Sequence, residues 1–318
     1  MTRAARAAGG QPGDGGRAAA GRDAAGYGDA EDGRATAGRG ATPPERAPLP
    51  TRVDALPPLP EEFGRVVDAA LASLDLELTP GMRAAIEAQA RLLVAWNAHV
   101  NLTAIDDPGR IALEHVADSL AAVPPLLDLL AARRPPRRPV TLLDVGSGAG
   151  YPGLPVAVAI PAAHGALLES VGKKVAFLAA ASGAARAALE AAGEDPLPIA
   201  PIHGRAEELA RLPEQREHWD IVTARAVAPL ASLVGLALPF VRPGGVLVAW
   251  KRDAGDGALE EEIAAAEAVL WELSIDPPSV ERVPVDGLAD HRLVLIRKRR
   301  STPDRPRRRP ASRHPLLR

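Results

Sequence analysis

Residues 142–153, Leu-Leu-Asp-Val-Gly-Ser-Gly-Ala-Gly-Tyr-Pro-Gly, constrain this chain more than any other stretch, because an apolar run turns through glycines into a helix start. Val140 to Val145 read as a buried strand after Pro139. Glycines at 146, 148 and 150 allow positive φ and a close approach of backbone to ligand. Residues 148–153 also satisfy the pattern G-x-G-x-x-G, whose tight turn and helix N-terminus suit a pyrophosphate. Asp144 argues against that ligand: an acid at the strand end, two residues before the first glycine, would repel a pyrophosphate and suit an ammonium. S-adenosylmethionine carries an amino acid and an adenosine but no phosphate, so these residues favour it. NAD is the alternative, and an ordinary glycine-rich turn is the bland reading.

Composition bounds what surrounds this loop. The chain has 318 residues, 47% of them hydrophobic, enough for one large or two small domains with a real core. Residues 1–55 are mainly Ala, Gly, Arg, Asp and Pro; they offer too little apolar surface to offset the entropy of ordering, and read as a disordered leader or as an upstream start. The segment lacks an apolar h-region, and its acids argue against an organellar transit peptide. No apolar run reaches the length of a membrane span. There is no cysteine, which removes disulfides, thiolate metal sites and cysteine nucleophiles. The seven histidines show no metal-ligand spacing, so no metal is expected. A cytoplasmic protein is the simplest expectation, and a monomer the simplest assembly.

The net charge of −2 excludes the strong positive field of a general nucleic-acid binder. Basic residues are nevertheless clustered. Arg133, Arg134, Arg137 and Arg138 flank two prolines, and residues 300–318 form a basic tail read as disordered, either solubilising or RNA-attracting.

Between the ends, apolar residues recur at steps of three and four from 61 to 74, 80 to 100 and 108 to 120, which predicts an N-terminal helical cap within 56–138. Strand and helix patterns then alternate over 139–299: strands at 140–145, 165–169, 198–203, 219–224 and 245–250, with helices between them. Such alternation implies an α/β fold with a doubly wound, Rossmann-like parallel sheet. Two further strands, around 270–284 and 291–298, have no helix between them and are expected to pair antiparallel at an edge.

Ligands of open α/β sheets sit at the C-terminal ends of the strands. Glu169 ends the second strand 23 positions after Gly146, where an acid meets ribose hydroxyls; an exposed loop acid is the plainer reading. Ala206 and Glu207 follow the third strand and could line an adenine pocket, although Ala-Glu-Glu is also ordinary first-turn helix chemistry. Arg225 ends the fourth strand facing the same crevice, and Lys251 ends the fifth within reach of a substrate. Lys173 and Lys174 oppose the macrodipole of the helix they open, a cost of a few tenths of a kcal/mol that contact with RNA phosphates would explain. A solvated basic helix end is the alternative.

Several of these stretches, in order, resemble one family, the bacterial 16S ribosomal RNA guanine-N7 methyltransferases called RsmG or GidB. Asn101-Leu102-Thr103-Ala104-Ile105 and His115-Val116-Ala117-Asp118-Ser119-Leu120 are similar to its N-terminal signatures. Asp144 to Pro155 resembles its glycine loop, Glu169 to Leu178 its acid-Ser-x-x-Lys stretch, Ala224-Arg225-Ala226 its Ser-Arg-Ala, and His291-Arg292-Leu293 its final strand entry. The likeness spans about residues 60–298. It implies an S-adenosylmethionine-dependent methyltransferase domain in which Gly146, Tyr151, Glu169, Ala206, Glu207 and Arg225 bind the cofactor, joined by Asp144 and Gly148 of the loop. It also implies 16S rRNA of the small ribosomal subunit as substrate. Glu169 stands where the family usually has Asp, and Ala224 replaces a hydroxyl residue. Asn101, Lys173, Lys174 and Lys251 are the candidate substrate contacts, with turn and capping chemistry the bland role for Asn101 and Asp118. His115 is expected to be structural rather than a substrate contact.

No catalytic dyad is expected. Guanine N7 has an exposed lone pair and no proton, so alignment rather than a general base would carry the reaction. A methyltransferase of a small molecule is the alternative function, and a non-catalytic module of ribosome assembly a third.

Overall fold

A computed structural model describes residues 48–132 and 139–301. The leader through residue 47, the Arg/Pro cluster at 133–138 and the tail from 302 lie outside the described residues.

The cap opens with α1 (Glu61–Ser73) and α2 (Pro80–Asn97). Thr79 starts α2 by accepting the Met82 amide on its hydroxyl, with Pro80 at the first helical position, where its missing N–H is no loss. Asp107 likewise accepts the Arg110 amide at 2.8 Å and starts α3 (Pro108–Arg110). The helix then widens into a π-helical segment, Ile111–Ala117, before α4 (Asp118–Leu120). α5 (Val123–Ala131) completes the cap.

Among the described residues seven strands follow: β1 (Val140–Val145), β2 (Ala163–Glu169), β3 (Ile199–His203), β4 (Trp219–Arg225), β5 (Val241–Arg252), β6 (Ser279–Arg282) and β7 (His291–Lys298). Their order is β3-β2-β1-β4-β5-β7-β6. The first five are parallel, while β7 runs antiparallel to both β5 and β6. The doubly wound sheet with an antiparallel pair at one edge is therefore as expected, although β7 lies inside and the short β6 forms the edge. The stretch 270–284 divides: its first residues still belong to a helix, and the strand begins at Ser279.

The crossovers are α6 (Gly153–Ala159), α7 (Gly172–Ala191), α8 (Ala206–Leu209), α9 (Leu230–Ala237) and α10 (Ala258–Glu272). Side chains alternate along the strands with period two. Leu142, Ile221, Val246 and Val248 face the side covered by the cap, α6 and α7, while Leu143, Val145, Val222 and Leu247 face α9 and α10. The cap is no separate body, for Phe63, Leu92 and Trp96 share one core with Leu178 and Leu295. Residues 48–55, assigned to the leader on composition, also lie against the cap. Leu49 and Val53 pack on this core, and the Trp96 indole donates to the Pro50 carbonyl at 2.7 Å. Among the described residues no helix is long and apolar enough to cross a membrane.

Candidate active site

Two cavities open over the C-terminal ends of β1, β2, β4 and β5, and they meet at Gly146. The smaller, about 290 Å³, is lined by Glu169, Ala206 and Glu207 among others. The larger, about 530 Å³, runs from Gly148 and Tyr151 to Lys174, Arg225 and the cap residue Thr103.

The glycine loop is held from both sides. Gly146, Gly148 and Gly150 all have positive φ, the conformation that only glycine adopts freely. A Cβ on Gly150 would come within 2.8 Å of the Gln89 amide nitrogen, which donates to the Ala149 carbonyl at 2.9 Å. A Cβ on Gly148 would meet nothing nearer than the Gly146 carbonyl at 3.9 Å, so that residue faces open space. From the sheet side, Glu169 accepts the Gly148 amide on one carboxylate oxygen at 3.0 Å, and the Ser170 and Val171 amides on the other at 2.8 and 2.9 Å. The acid thus ties the β1 loop to the start of α7 while lining the smaller cavity.

Asp144 lies elsewhere than its sequence position suggested. It lines neither cavity but sits wholly buried beneath the loop, on the same face of β1 as Leu142. Thr223 donates to its Oδ1 at 2.7 Å, and Oδ2 has no hydrogen-bond partner. Burial pushes its carboxyl up to about 6. A Cβ on Gly153 would strike the Asp144 side chain at 2.4 Å, so this last glycine of the loop serves helix-to-strand packing. The ammonium partner expected of Asp144 therefore has no access to it.

Arg225 closes the larger cavity and is fastened to the cap. Its guanidinium donates to the Asp118 carboxylate and the Glu114 carbonyl, both at 2.9 Å, and to His115 Nδ1 at 3.1 Å. Asp118 is the common anchor of three strand ends. It also pairs with His291 at 2.7 Å, and its carbonyl accepts the Trp250 indole N–H at 2.8 Å. His115 stacks on Tyr151 with ring centroids 4.9 Å apart. Burial and the neighbouring guanidinium hold the imidazole down at about 4, hence neutral. Burial likewise raises the Tyr151 phenol.

The candidate substrate residues separate. Lys174 lines the larger cavity, and Lys173 is exposed and lines neither. Lys251 lines it too, but its ammonium is already engaged by the Ala228 carbonyl and by Glu262. Asn101 is exposed and outside both cavities; the turn chemistry expected of it belongs to Asn97, which accepts the Leu102 and Thr103 amides and donates to the Thr103 carbonyl. Sequence reasoning missed Gln89 and Thr103 as site residues. Gln89 carried a signal, for it stands between Ile86 and Leu93 on the apolar stripe of α2, where an amide is out of place.

A profile of the GidB family, described as rRNA small subunit methyltransferase G, matches residues 82–283, more than half of the chain. The chain belongs to this family. Relatives named ribosomal RNA small subunit methyltransferase G include that of Roseiflexus castenholzii, 39% identical over 211 residues (66% of this chain and 81% of that one). Another, from Symbiobacterium thermophilum, is 37% identical over 239 residues, 75% and 91% of the two chains. Among solved structures, an O-methyltransferase from Bacillus cereus in complex with SAH covers 74% of this chain and 100% of its own length at 16% identity, with a TM-score of 0.45. The family match spans α2 to the end of β6, and so takes in the whole latch of His115, Asp118 and Arg225 except His291.

Proposed function

We propose that this protein transfers a methyl group from S-adenosylmethionine to N7 of a guanine in 16S rRNA of the small ribosomal subunit. The observation that carries the reading is the pair of cavities joined at Gly146 over the strand ends, one suited to a nucleoside and the other reaching the cap. Glu169, Ala206 and Glu207 would hold the adenosine, and Gly146, Gly148, Tyr151 and Arg225 the amino-acid end. The open space at Gly148 and the Glu169 side chain lining the smaller cavity fit such a molecule. When bound it supplies an electrophilic methyl group on a sulfonium centre.

The protein's own contribution is alignment. N7 brings its lone pair unprotonated, so no side chain has to remove a proton, and the larger cavity is lined by no free base: His115 is turned to Arg225 and Thr103, His291 to Asp118, and the carboxylates of Glu114 and Asp118 are engaged. Rigid walls, rather than acid–base groups, hold the reacting atoms in line. Family membership supports an rRNA substrate over a small molecule. On this reading the protein works in the cytoplasm as a single chain, with neither metal nor membrane.

The test is methyl transfer from labelled S-adenosylmethionine to small subunits from a strain lacking the gene, followed by mapping of N7-methylguanosine. Label in the 16S rRNA at one guanine N7 is the expected result. Absence of label, with transfer to a small molecule instead, would overturn it.

A further inference from the structure

The polar atoms of Thr103 form the end of a chain whose direction is fixed by one permanently charged group. His115 Nδ1 lies between the Arg225 guanidinium at 3.1 Å and the Glu114 carbonyl at 3.3 Å; the carbonyl already accepts from Arg225 at 2.9 Å, whereas the guanidinium has donors and no acceptor, so the shorter contact makes Nδ1 the acceptor. The single ring hydrogen then sits on Nε2, and His115 donates through it to Thr103 Oγ1 at 2.9 Å. Thr103 Oγ1 accepts a second bond, from the Ile105 amide at 3.1 Å. Both lone pairs of the hydroxyl are thereby used, and what is left is its hydrogen.

The rest of Thr103 cannot turn away. Its amide donates to Asn97 at 3.1 Å and its carbonyl accepts from Asn97 at 3.0 Å, so the backbone is clamped on both sides. The residue lines the larger cavity together with Arg225 and Gly148. A hydroxyl is ordinarily either donor or acceptor as its partner requires. Here the guanidinium at the far end of the chain leaves it the donor role alone.

We propose that Thr103 is a specificity-determining residue whose hydroxyl, restricted to donating, accepts into the cavity only a base that presents an acceptor beside N7. This rests on the reading of the site as a purine-N7 methyltransferase. On that edge guanine carries the O6 acceptor next to N7, whereas adenine carries the N6 amino donor. A fixed donor therefore fits guanine and meets adenine donor to donor, leaving both groups unpaired in a confined space. N7 itself stays free for the methyl group, since the hydroxyl bonds the neighbouring atom. A second proton, on Nδ1, would face the guanidinium donor to donor, which is in keeping with a neutral His115.

The test compares wild type with Thr103→Ala, Thr103→Val and Thr103→Ser on reconstituted small subunits whose mapped target guanine is kept or replaced by adenine. S-adenosylmethionine affinity by calorimetry and thermal unfolding are run alongside. For Thr103→Ala and Thr103→Val, kcat/KM on guanine should fall roughly tenfold, the size of one hydrogen bond removed, with cofactor affinity within about twofold of wild type. The guanine-to-adenine preference should narrow by a similar factor, and Thr103→Ser should restore both quantities. Thr103→Ala leaves room for water to serve His115 and Ile105, so it reports even if the valine variant unfolds. A guanine-to-adenine preference unchanged in a folded alanine or valine variant would overturn the assignment. Wild-type subunits without N7-methylguanosine would instead overturn the reading beneath it.

Discussion

Arg225 and Asp118, on the end of β4 and the first residue of α4, meet in a 2.9 Å ion pair whose carboxylate side chain is 2% exposed. The pair fastens the cap over the cavity, and Asp118 needs it, because burial of a lone carboxylate is costly. Arg225→Ala should therefore lower stability by about 1–3 kcal/mol, the cost of leaving one buried carboxylate oxygen unpaired while His291 keeps the other, besides weakening cofactor binding. Urea unfolding checks this. Were Arg225→Ala to unfold at the wild-type midpoint while losing affinity, Arg225 would be a ligand contact and not a latch.

Glu169 joins the glycine loop to the start of α7 through three backbone amides. Glu169→Gln puts an amide nitrogen where only acceptors serve, leaving at least one N–H unpaired at a cost of about 1–3 kcal/mol. The expected outcome is a lower melting temperature and weaker S-adenosylmethionine binding together. Glu169→Asp, one methylene shorter, keeps the charge but not the full span from Gly148 to Val171, and should fall between Gln and wild type in both measurements. Calorimetric titration of the two variants decides it.

Two buried groups drive stability in opposite directions with pH. His115 is held near 4 in the folded protein against an ordinary 6.5, so between those values the unfolded chain binds a proton that the folded one refuses, and acid destabilises. Asp144 is raised from 3.8 to about 6, so over nearly the same range the folded protein holds the extra proton, and acid stabilises. Asp144→Asn removes the second effect alone. Relative to wild type the variant should be more stable at about pH 7 and lose that advantage, by up to about 3 kcal/mol, between about pH 6 and 4. Urea midpoints across that range should show the two curves converging as pH falls; parallel curves would mean that Asp144 finds a partner for its second oxygen.

Much of the fold is legible in the chain, and what is not has identifiable causes. Alternating apolar runs mark the strands, and glycine placement marks the loop, because both signals are local. α5 lies beyond the three predicted helices because Pro124 and Pro125 interrupt the apolar spacing, although prolines in a first turn are compatible with a helix. Asp144 misleads because its neighbourhood is set by period-two alternation: counting from Leu142 puts it under the cap-side face, where Gly153 closes over it. The latch cannot be read locally at all. Asp118 and His291 stand 173 residues apart, and only the sheet order that brings β4, β5 and β7 side by side gathers their ends at one carboxylate.

Composition suggests that a chain beginning near residue 56 would keep its stability, and the packing of residues 48–55 reverses that expectation. Such a chain loses Leu49 and Val53 from the core and leaves the Trp96 indole without the Pro50 carbonyl. A start at Leu56 should melt lower than a start at Pro48, by an amount matching about 1–3 kcal/mol for the unpaired buried donor plus the apolar burial removed with the two side chains. Calorimetric melting of the two proteins checks it, and equal melting temperatures would show that this segment contributes nothing.

Lys173 and Lys174 open α7 side by side, yet only the second lines the larger cavity. Charge reversal should therefore separate two kinds of RNA interaction. Lys174→Glu places a carboxylate among cavity walls that receive the target nucleotide, and should depress kcat/KM strongly even at low salt. Lys173→Glu, on the exposed turn, should act through phosphate attraction only, so its effect should be small at high salt and grow as salt is lowered. Removing one lysine–phosphate interaction should flatten the logarithmic salt slope by about 0.7–0.9. S-adenosylmethionine affinity should change little in either variant, because Glu169 holds its loop through backbone amides and not through these lysines. The measurement is methyl transfer to undermethylated small subunits across a salt series. If both reversals keep the wild-type slope and rate, the start of α7 does not touch RNA, and the substrate is held by the cap around Thr103 and Arg225.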